Sequence, residues 1–189
     1  MGTTRQSAED LIHAIVQDHR DLERVFSELE RHNHSPAYQK ELADHAIADL
    51  VRHSAAEEQF VYPVARDRID NGDEIIEHEI AEHAEAERLM KELEPVEPSD
   101  PRFDELVTRL IEDVRHHIHD EERDLLPALR SHCSEAELRD LGKKMIVAKD
   151  SAPTRPHPGA PDRPPANLIL DPGAGMIDKA RDGLAGRKV

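Results

Sequence analysis

The chain has 189 residues, enough for one domain with a sizeable core. Only 3% of them are aromatic and none is Trp, which favours a core of packed helices over a sheet. Because the formal net charge is −16, we expect no affinity for nucleic acid or for anionic membranes. The single cysteine, the polar N-terminus and the lack of a long apolar run predict a cytoplasmic protein without signal peptide or membrane span.

Apolar residues recur at helical spacing in four long segments. These helices are predicted to start near residues 7, 36, 73 and 101, with Ser7 as the first N-cap. Pro63 should kink or end the second helix, because proline cannot donate the helical hydrogen bond. A short fifth helix is predicted from Ser134, the first residue of a Ser-x-x-Glu capping box, to about Ala148.

The sequence repeats itself with an offset of 64 residues. The segment with His53, Glu57, Glu58 and Pro63 recurs as His117, Glu121, Glu122 and Pro127, and the first predicted helix maps onto the third with the same offset. Two copies of a helical hairpin predict an all-α fold, a four-helix bundle with a pseudo-twofold axis.

The composition changes after Lys149. Seven of the thirteen prolines lie between Pro153 and Pro172, among Ala, Gly and Asp. Such a segment buries too little apolar surface to offset the entropy of ordering it. We therefore predict a domain of residues 1–149 and a largely disordered, Pro-rich tail of residues 150–189. Short apolar groups at 168–170 and 176–177 leave open a docking element for a protein partner.

Seven residues are candidate metal ligands because they interrupt apolar stripes that should face the bundle interior. Buried His and Glu are costly without partners, and divalent cations would neutralise the carboxylates and accept the imidazole lone pairs. So many donors are too many for one tetrahedral zinc, and the mixture favours two iron ions, with manganese less suitable. The candidates are His19, His53, Glu57, His83, Glu87, His117 and Glu121.

The apolar stripes support Glu87 as a metal ligand more strongly than Glu23. Glu87 has only Ala86 as its competitor for the inward position, whereas Glu23 competes with Leu22 and is left out. The alternative interpretation of His-x-x-x-Glu spacing is a surface ion pair, and we apply it to His78.

The combined pattern resembles the hemerythrin-like HHE cation-binding family over about residues 7–131. The resemblance implies an up-down-up-down bundle around a non-haem di-iron centre bridged by an oxo or hydroxo group. By position, the four histidines would be terminal ligands, and Glu57 and Glu121 the bridges. The motifs are Asp18-His19-x-x-Leu22, His53-x-x-x-Glu57-Glu58, Glu82-His83 and His117-x-x-x-Glu121-Glu122.

Oxygen-carrying hemerythrins have a second histidine where this chain has Glu87, and an Asp five residues after the ligand corresponding to His117. Replacing imidazole by carboxylate favours the ferric state, so we favour redox detoxification of hydrogen peroxide, dioxygen or nitric oxide, such as catalase-like chemistry. Reversible dioxygen binding for storage or sensing is the alternative, and a metal-free interaction module is a remote one.

Overall fold

Every regular element in the described part of the chain is helical. The structure, a computed structural model, describes residues 10–189 except residues 32, 165 and 188 and the side chains of Leu168 and Ile169. Among these described helices, none has the length and apolarity needed to cross a bilayer. The helices are α1 Leu11–Leu29, α2 Pro36–Ala56, α3 Tyr62–Arg68, α4 Gly72–Leu93, α5 Pro101–Asp120, α6 Leu126–His132, α7 Glu135–Ser151 and α8 Ala166–Ala185.

The predicted four-helix bundle and fifth helix are confirmed. The hairpins α1–α2 and α4–α5 form the bundle, and α7 packs against α1 and α2. The capping box of α7 is present, since Ser134 and Glu137 each bond the other's backbone N–H. The predicted N-cap Ser7 lies outside the described residues; within them, Asp10 caps α1 by accepting from the N–H of His13 at 2.9 Å.

Two π-helical turns, Glu57–Val61 and Glu121–Leu125, join α2 to α3 and α5 to α6. In the first, the N–H of Tyr62 bonds the carbonyl of Glu57, five residues back, just before Pro63. The helix therefore does not end at Pro63 but continues to Arg68. The wider turn also shifts the inward face by one residue, so Val61 is buried whereas Phe60 is half-buried.

The apolar core has two parts, separated by a polar layer. One part lies towards α3, α6 and α7 and includes Leu11 and Ile15, while the other lies towards the opposite end and includes Leu22 and Phe26. On α1, His19 is buried between these two parts. The polar layer is thus enclosed by apolar side chains on both sides, where unpaired charge is costly.

The predicted disorder of residues 150–189 is not confirmed, because α8 occupies much of this tail and α7 itself continues to Ser151. Buried polar contacts hold the tail in place, whereas the prediction of disorder considered only the apolar surface that the tail could bury. Asp182 contacts Arg155 at 2.7 Å and Arg187 at 3.2 Å, and Gln59 donates to Asp171 at 2.6 Å.

Gly72 begins α4 directly against the end of α3. A Cβ here would lie 2.5 Å from the carbonyl oxygen of Ala65 and 2.9 Å from the Cα of Arg66. Because both atoms belong to the backbone, we expect Gly72→Ala to lower the free energy of unfolding by about 1–3 kcal/mol in urea denaturation. The matched control is Gly183→Ala in α8, where a Cβ meets no atom within 4 Å. Equal stability of the two variants would contradict the packing argument.

Candidate metal centre

Six buried donor side chains converge in the polar layer of the bundle. Each of α1, α2, α4 and α5 contributes one histidine, and each π-helical turn contributes its first residue, a glutamate. Both glutamates are 0% exposed, so the wider turns place carboxylates inside the bundle rather than at its surface. The six are His19, His53, His83, His117, Glu57 and Glu121.

These donors form two groups that share Glu57. The first group is His19, His53, Glu57 and Glu121, and the second is Glu57, His83 and His117; within each, the ligand atoms lie within 4.8 Å of one another. The separations are 3.2 Å for His19 Nε2–Glu121 Oε2, 3.2 Å for His53 Nε2–Glu57 Oε1 and 3.5 Å for His83 Nε2–Glu57 Oε2. The carboxylate of Glu57 therefore reaches both groups.

A second set of carboxylates, the outer carboxylates, contacts the Nδ1 atoms of the four donor histidines. Each accepts a hydrogen bond from Nδ1–H, which leaves the Nε2 lone pair facing the interior. The Nδ1–oxygen distances are 2.9 Å for His19–Glu122, 3.1 Å for His53–Asp18, 3.0 Å for His83–Glu58 and 3.0 Å for His117–Glu82.

The outer carboxylates obey the same 64-residue repeat as the ligands. Asp18 corresponds to Glu82, and each holds a histidine of its own half, His53 or His117. Glu58 corresponds to Glu122, and each holds a histidine of the other half, His83 or His19. Sequence reasoning quoted these residues without assigning them a role. The available signal was their position, since each lies next to a candidate ligand in both copies of the motif.

Tyr62 breaks this symmetry. Its hydroxyl lies 3.0 Å from His83 Nε2, and the side chain is 1% exposed, whereas the equivalent residue in the other half is Leu126. Glu79 adds a second difference, because its carboxylate lies 3.0 Å from His117 Nδ1 and its counterpart is Ile15. The two donor groups are therefore chemically different, which the sequence repeat did not indicate.

Several donor atoms have no hydrogen-bond partner among the described residues. They are His19 Nε2, His53 Nε2 and both carboxylate oxygens of Glu57 and Glu121. A buried polar atom without a partner costs about 1–3 kcal/mol, and a charged one costs more. A cation bound by these atoms would remove that cost, and imidazole with carboxylate is a donor set that suits transition metals. The residues present therefore fit a bound metal.

Without a metal, protons take over part of the neutralisation. Burial opposes protonation of His53, but the charges of Glu57 and Asp18 outweigh it and raise the pKa of His53 to about 10. Burial would raise the pKa of Glu121, but His19, His117 and His53 lower it to about 2. Burial and the charge of Glu121 raise the pKa of Glu57. Protons and cations thus compete for the same atoms.

Glu87, the seventh candidate, lies outside both donor groups. It is half-buried, and its carboxylate accepts from the backbone N–H of His157 at 2.8 Å. The prediction that Glu87 belongs to the donor set is therefore not supported by the geometry, because this face of α4 points to the tail. Glu23, which was left out, instead pairs with Arg115 at 2.6 Å.

A cavity of about 240 Å³ adjoins the histidines on the side away from α3 and α6. All four bundle histidines contribute to its wall. Most of the remaining wall is apolar, with carboxylates and His116 at its edge. The apolar lining comprises Leu22, Leu50, Ala86, Met90, Val114 and Ile118.

Comparison with known proteins agrees with this geometry. The family model for the hemerythrin HHE cation binding domain matches residues 10–129. An uncharacterized hemerythrin-like protein of Schizosaccharomyces pombe is 29% identical over 170 residues, covering 89% of this chain and 83% of that protein. A DNA nickase of Nostoc sp. is 29% identical over 141 residues, covering 75% of this chain but only 39% of the nickase.

A solved structure shares the fold. It is the crystal structure of a hemerythrin HHE cation binding domain-containing protein from Mycobacterium kansasii, with a TM-score of 0.66 and 20% identity. The similarity covers 75% of this chain and 86% of that chain. Since the family model spans more than half of the sequence, the chain belongs to the hemerythrin HHE cation-binding family.

Proposed function

We propose that the protein holds two non-haem iron ions and uses them for redox reactions with a small oxidant, with hydrogen peroxide as the favoured substrate. The observation that carries the proposal is the set of buried donor atoms without partners, which border a small apolar cavity. His19, His53 and Glu121 would hold one ion, His83 and His117 the other, and Glu57 both. When bound, the iron would supply Lewis acidity and electrons.

The cavity supports a small substrate. Its volume of about 240 Å³ falls below the range of about 300–1,000 Å³ that is usual for drug-sized ligands. Apolar side chains such as Leu22 and Val114 line the cavity beside the histidines, and its carboxylates and His116 lie at the edge. Peroxide, dioxygen and nitric oxide all satisfy this size limit.

The charge around the donors favours redox turnover over reversible dioxygen binding. Five outer carboxylates surround the histidines in addition to Glu57 and Glu121. In the described part of the chain, two of the five pair with a lysine or arginine, Glu122 with Arg20 at 2.7 Å and Asp18 with Lys149 at 2.5 Å. This negative environment stabilises the higher charge of ferric iron, whereas a reversible carrier must keep its iron ferrous until dioxygen leaves.

Peroxide decomposition by the iron-loaded protein tests the proposal. We expect dioxygen evolution from hydrogen peroxide, followed with an oxygen electrode. Ala86→Phe, which fills the cavity, should lower kcat/KM at least about tenfold, a loss of about 1.4 kcal/mol in transition-state stabilisation, without changing the iron content. Ala84→Phe is the matched control, because Ala84 lies two residues away on α4 and lines a different cavity.

Two outcomes would contradict the proposal. The first is iron-loaded protein that neither turns over peroxide nor changes its iron oxidation state on exposure to it. The second is an equal effect of the two phenylalanine variants, which would disconnect the reaction from the cavity beside the histidines.

A further inference from the structure

Helix α8 is oriented with its polar face inward and its apolar face outward. Asp171, Asp178 and Asp182 are buried against the body of the protein. On the opposite face, Leu170 is 53% exposed, Ile177 is 62% exposed and Leu184 is 91% exposed. An amphipathic helix ordinarily buries its apolar face, so the reversed orientation calls for a physical cause.

Buried ion pairs and hydrogen bonds impose this orientation. They connect the three aspartates to the loop between α7 and α8, to Arg187 just after α8, and to the π-helical turn that precedes α3. Rolling α8 to bury its leucines would break all of these contacts and leave charges unpaired. The contacts are Asp182 with Arg155 at 2.7 Å, Asp182 with Arg187 at 3.2 Å, Asp178 with His157 at 2.8 Å and Asp171 with Gln59 at 2.6 Å.

The outward residues are spaced as in the seam of a coiled coil. Five exposed residues follow one another at intervals of three, four, three and four, the repeat that brings two helices into continuous contact. None of them is charged, and the charged residues of α8 all lie off the seam. The seam residues are Leu170, Gly173, Ile177, Ala180 and Leu184.

We propose that the α8 seam is a homodimer interface, in which two copies of this chain pair their α8 helices antiparallel about Ile177. The seam is nearly symmetric about that residue, since Leu170 and Leu184 each lie seven positions away. Antiparallel pairing therefore places Leu170 against Leu184 of the second copy, and the small Gly173 near Ala180, where the helices can approach closely. The same patch used twice is the usual arrangement of a twofold dimer.

Charge favours the antiparallel orientation. A parallel pair would bring the two copies of Arg181, which borders the seam, to the same level. The antiparallel pair places Arg181 level with Gly173 of the second copy instead. The net charge of −16 argues against an anionic membrane as the occupant of this face.

The size of the seam predicts a weak dimer. The fifteen residues from Leu170 to Leu184 span about 21 Å of helix. A contact of that length is smaller than the roughly 800 Å² per partner of a standard stable interface. We therefore expect a weak, reversible monomer–dimer equilibrium.

Sedimentation equilibrium of the full chain over a range of concentrations tests the interface. We expect concentration-dependent dimerisation that Ile177→Lys abolishes, with unchanged circular dichroism because the side chain is exposed. Tyr38→Lys, which replaces another exposed apolar residue on α2, should dimerise like the wild type. A monomer at all concentrations, a dimer that survives Ile177→Lys, or sedimentation of the chain only with anionic phospholipid vesicles would overturn the proposal.

Disulfide trapping tests the register. Cys133 is the only cysteine in the sequence, so Cys133→Ala gives a clean background. In that background, Ile177→Cys should cross-link to its own copy, whereas Leu170→Cys should cross-link only to chains with Leu184→Cys. Self-cross-linking of Leu170→Cys would contradict the antiparallel arrangement.

Discussion

Glu121→Ala is expected to abolish stable metal binding, while Glu87→Ala is expected to leave it intact. Glu121 is 0% exposed, and neither of its carboxylate oxygens has a hydrogen-bond partner in the described residues. Glu87 accepts from the backbone of His157 and lies outside both donor groups. Removal of Glu121 leaves its group with two imidazoles and the shared Glu57, so we expect affinity to fall more than about 100-fold, beyond the usual loss for an outer-shell residue.

The measurements are metal content by mass spectrometry after purification, and melting temperature with and without chelator. A ligand at 100 times its dissociation constant stabilises a protein by about 2.7 kcal/mol. For a chain of this length that corresponds to a rise in Tm of roughly 5–10 °C. The rise should occur in the wild type and in Glu87→Ala and be absent in Glu121→Ala. Metal loss in both variants would return Glu87 to the ligand set, and metal loss in neither would place the ions elsewhere.

Glu122→Ala and Glu58→Ala are each expected to lower metal affinity about 10–100-fold, although neither residue belongs to the donor groups. Each removes the acceptor that holds the Nδ1–H of a histidine, Glu122 for His19 and Glu58 for His83. Without that acceptor the ring can rotate and the Nε2 lone pair loses its fixed direction.

The two losses should be unequal. Arg20 donates to both carboxylate oxygens of Glu122, at 2.9 and 2.7 Å, and helps to lower the pKa of that carboxyl. No such arginine is available to Glu58, because the residue equivalent to Arg20 in the repeat is Ala84. Burial and the nearby charge of Glu87 raise the pKa of Glu58 well above the usual value. Because the ionised carboxylate of Glu122 is the stronger acceptor, its loss should cost more.

Chelator competition gives both affinities on one scale. Glu92→Ala, an exposed position on α4, is the control for loss of one negative charge and should match the wild type. Glu122→Gln should recover part of the affinity, because the amide oxygen still accepts from His19. Affinities of Glu122→Ala and Glu58→Ala that equal the control would show that the histidines need no outer support.

The donor set illustrates what linear patterns can and cannot specify. His19, His53 and Glu57 were recognisable because they interrupt apolar stripes and recur after 64 residues. Glu87 satisfied the first criterion equally well, yet it faces the tail. Whether a residue at the border of a stripe points inward depends on a small rotation of the helix, which packing against neighbouring helices sets.

The sequence by itself determined the helical class, the two repeated hairpins, the fifth helix and the pairing of histidine with glutamate, because helical periodicity and internal repetition are properties of neighbouring residues along one chain. Only the tertiary structure decided the one-residue shift at the π-helical turns, the contact of Tyr62 with His83, and the ordered tail. For the contact of Tyr62 with His83 and for the tail, the deciding contact joins residues from separate elements, such as Asp171 and Gln59. The energy of such a contact depends on burial, and burial exists only once the helices have packed.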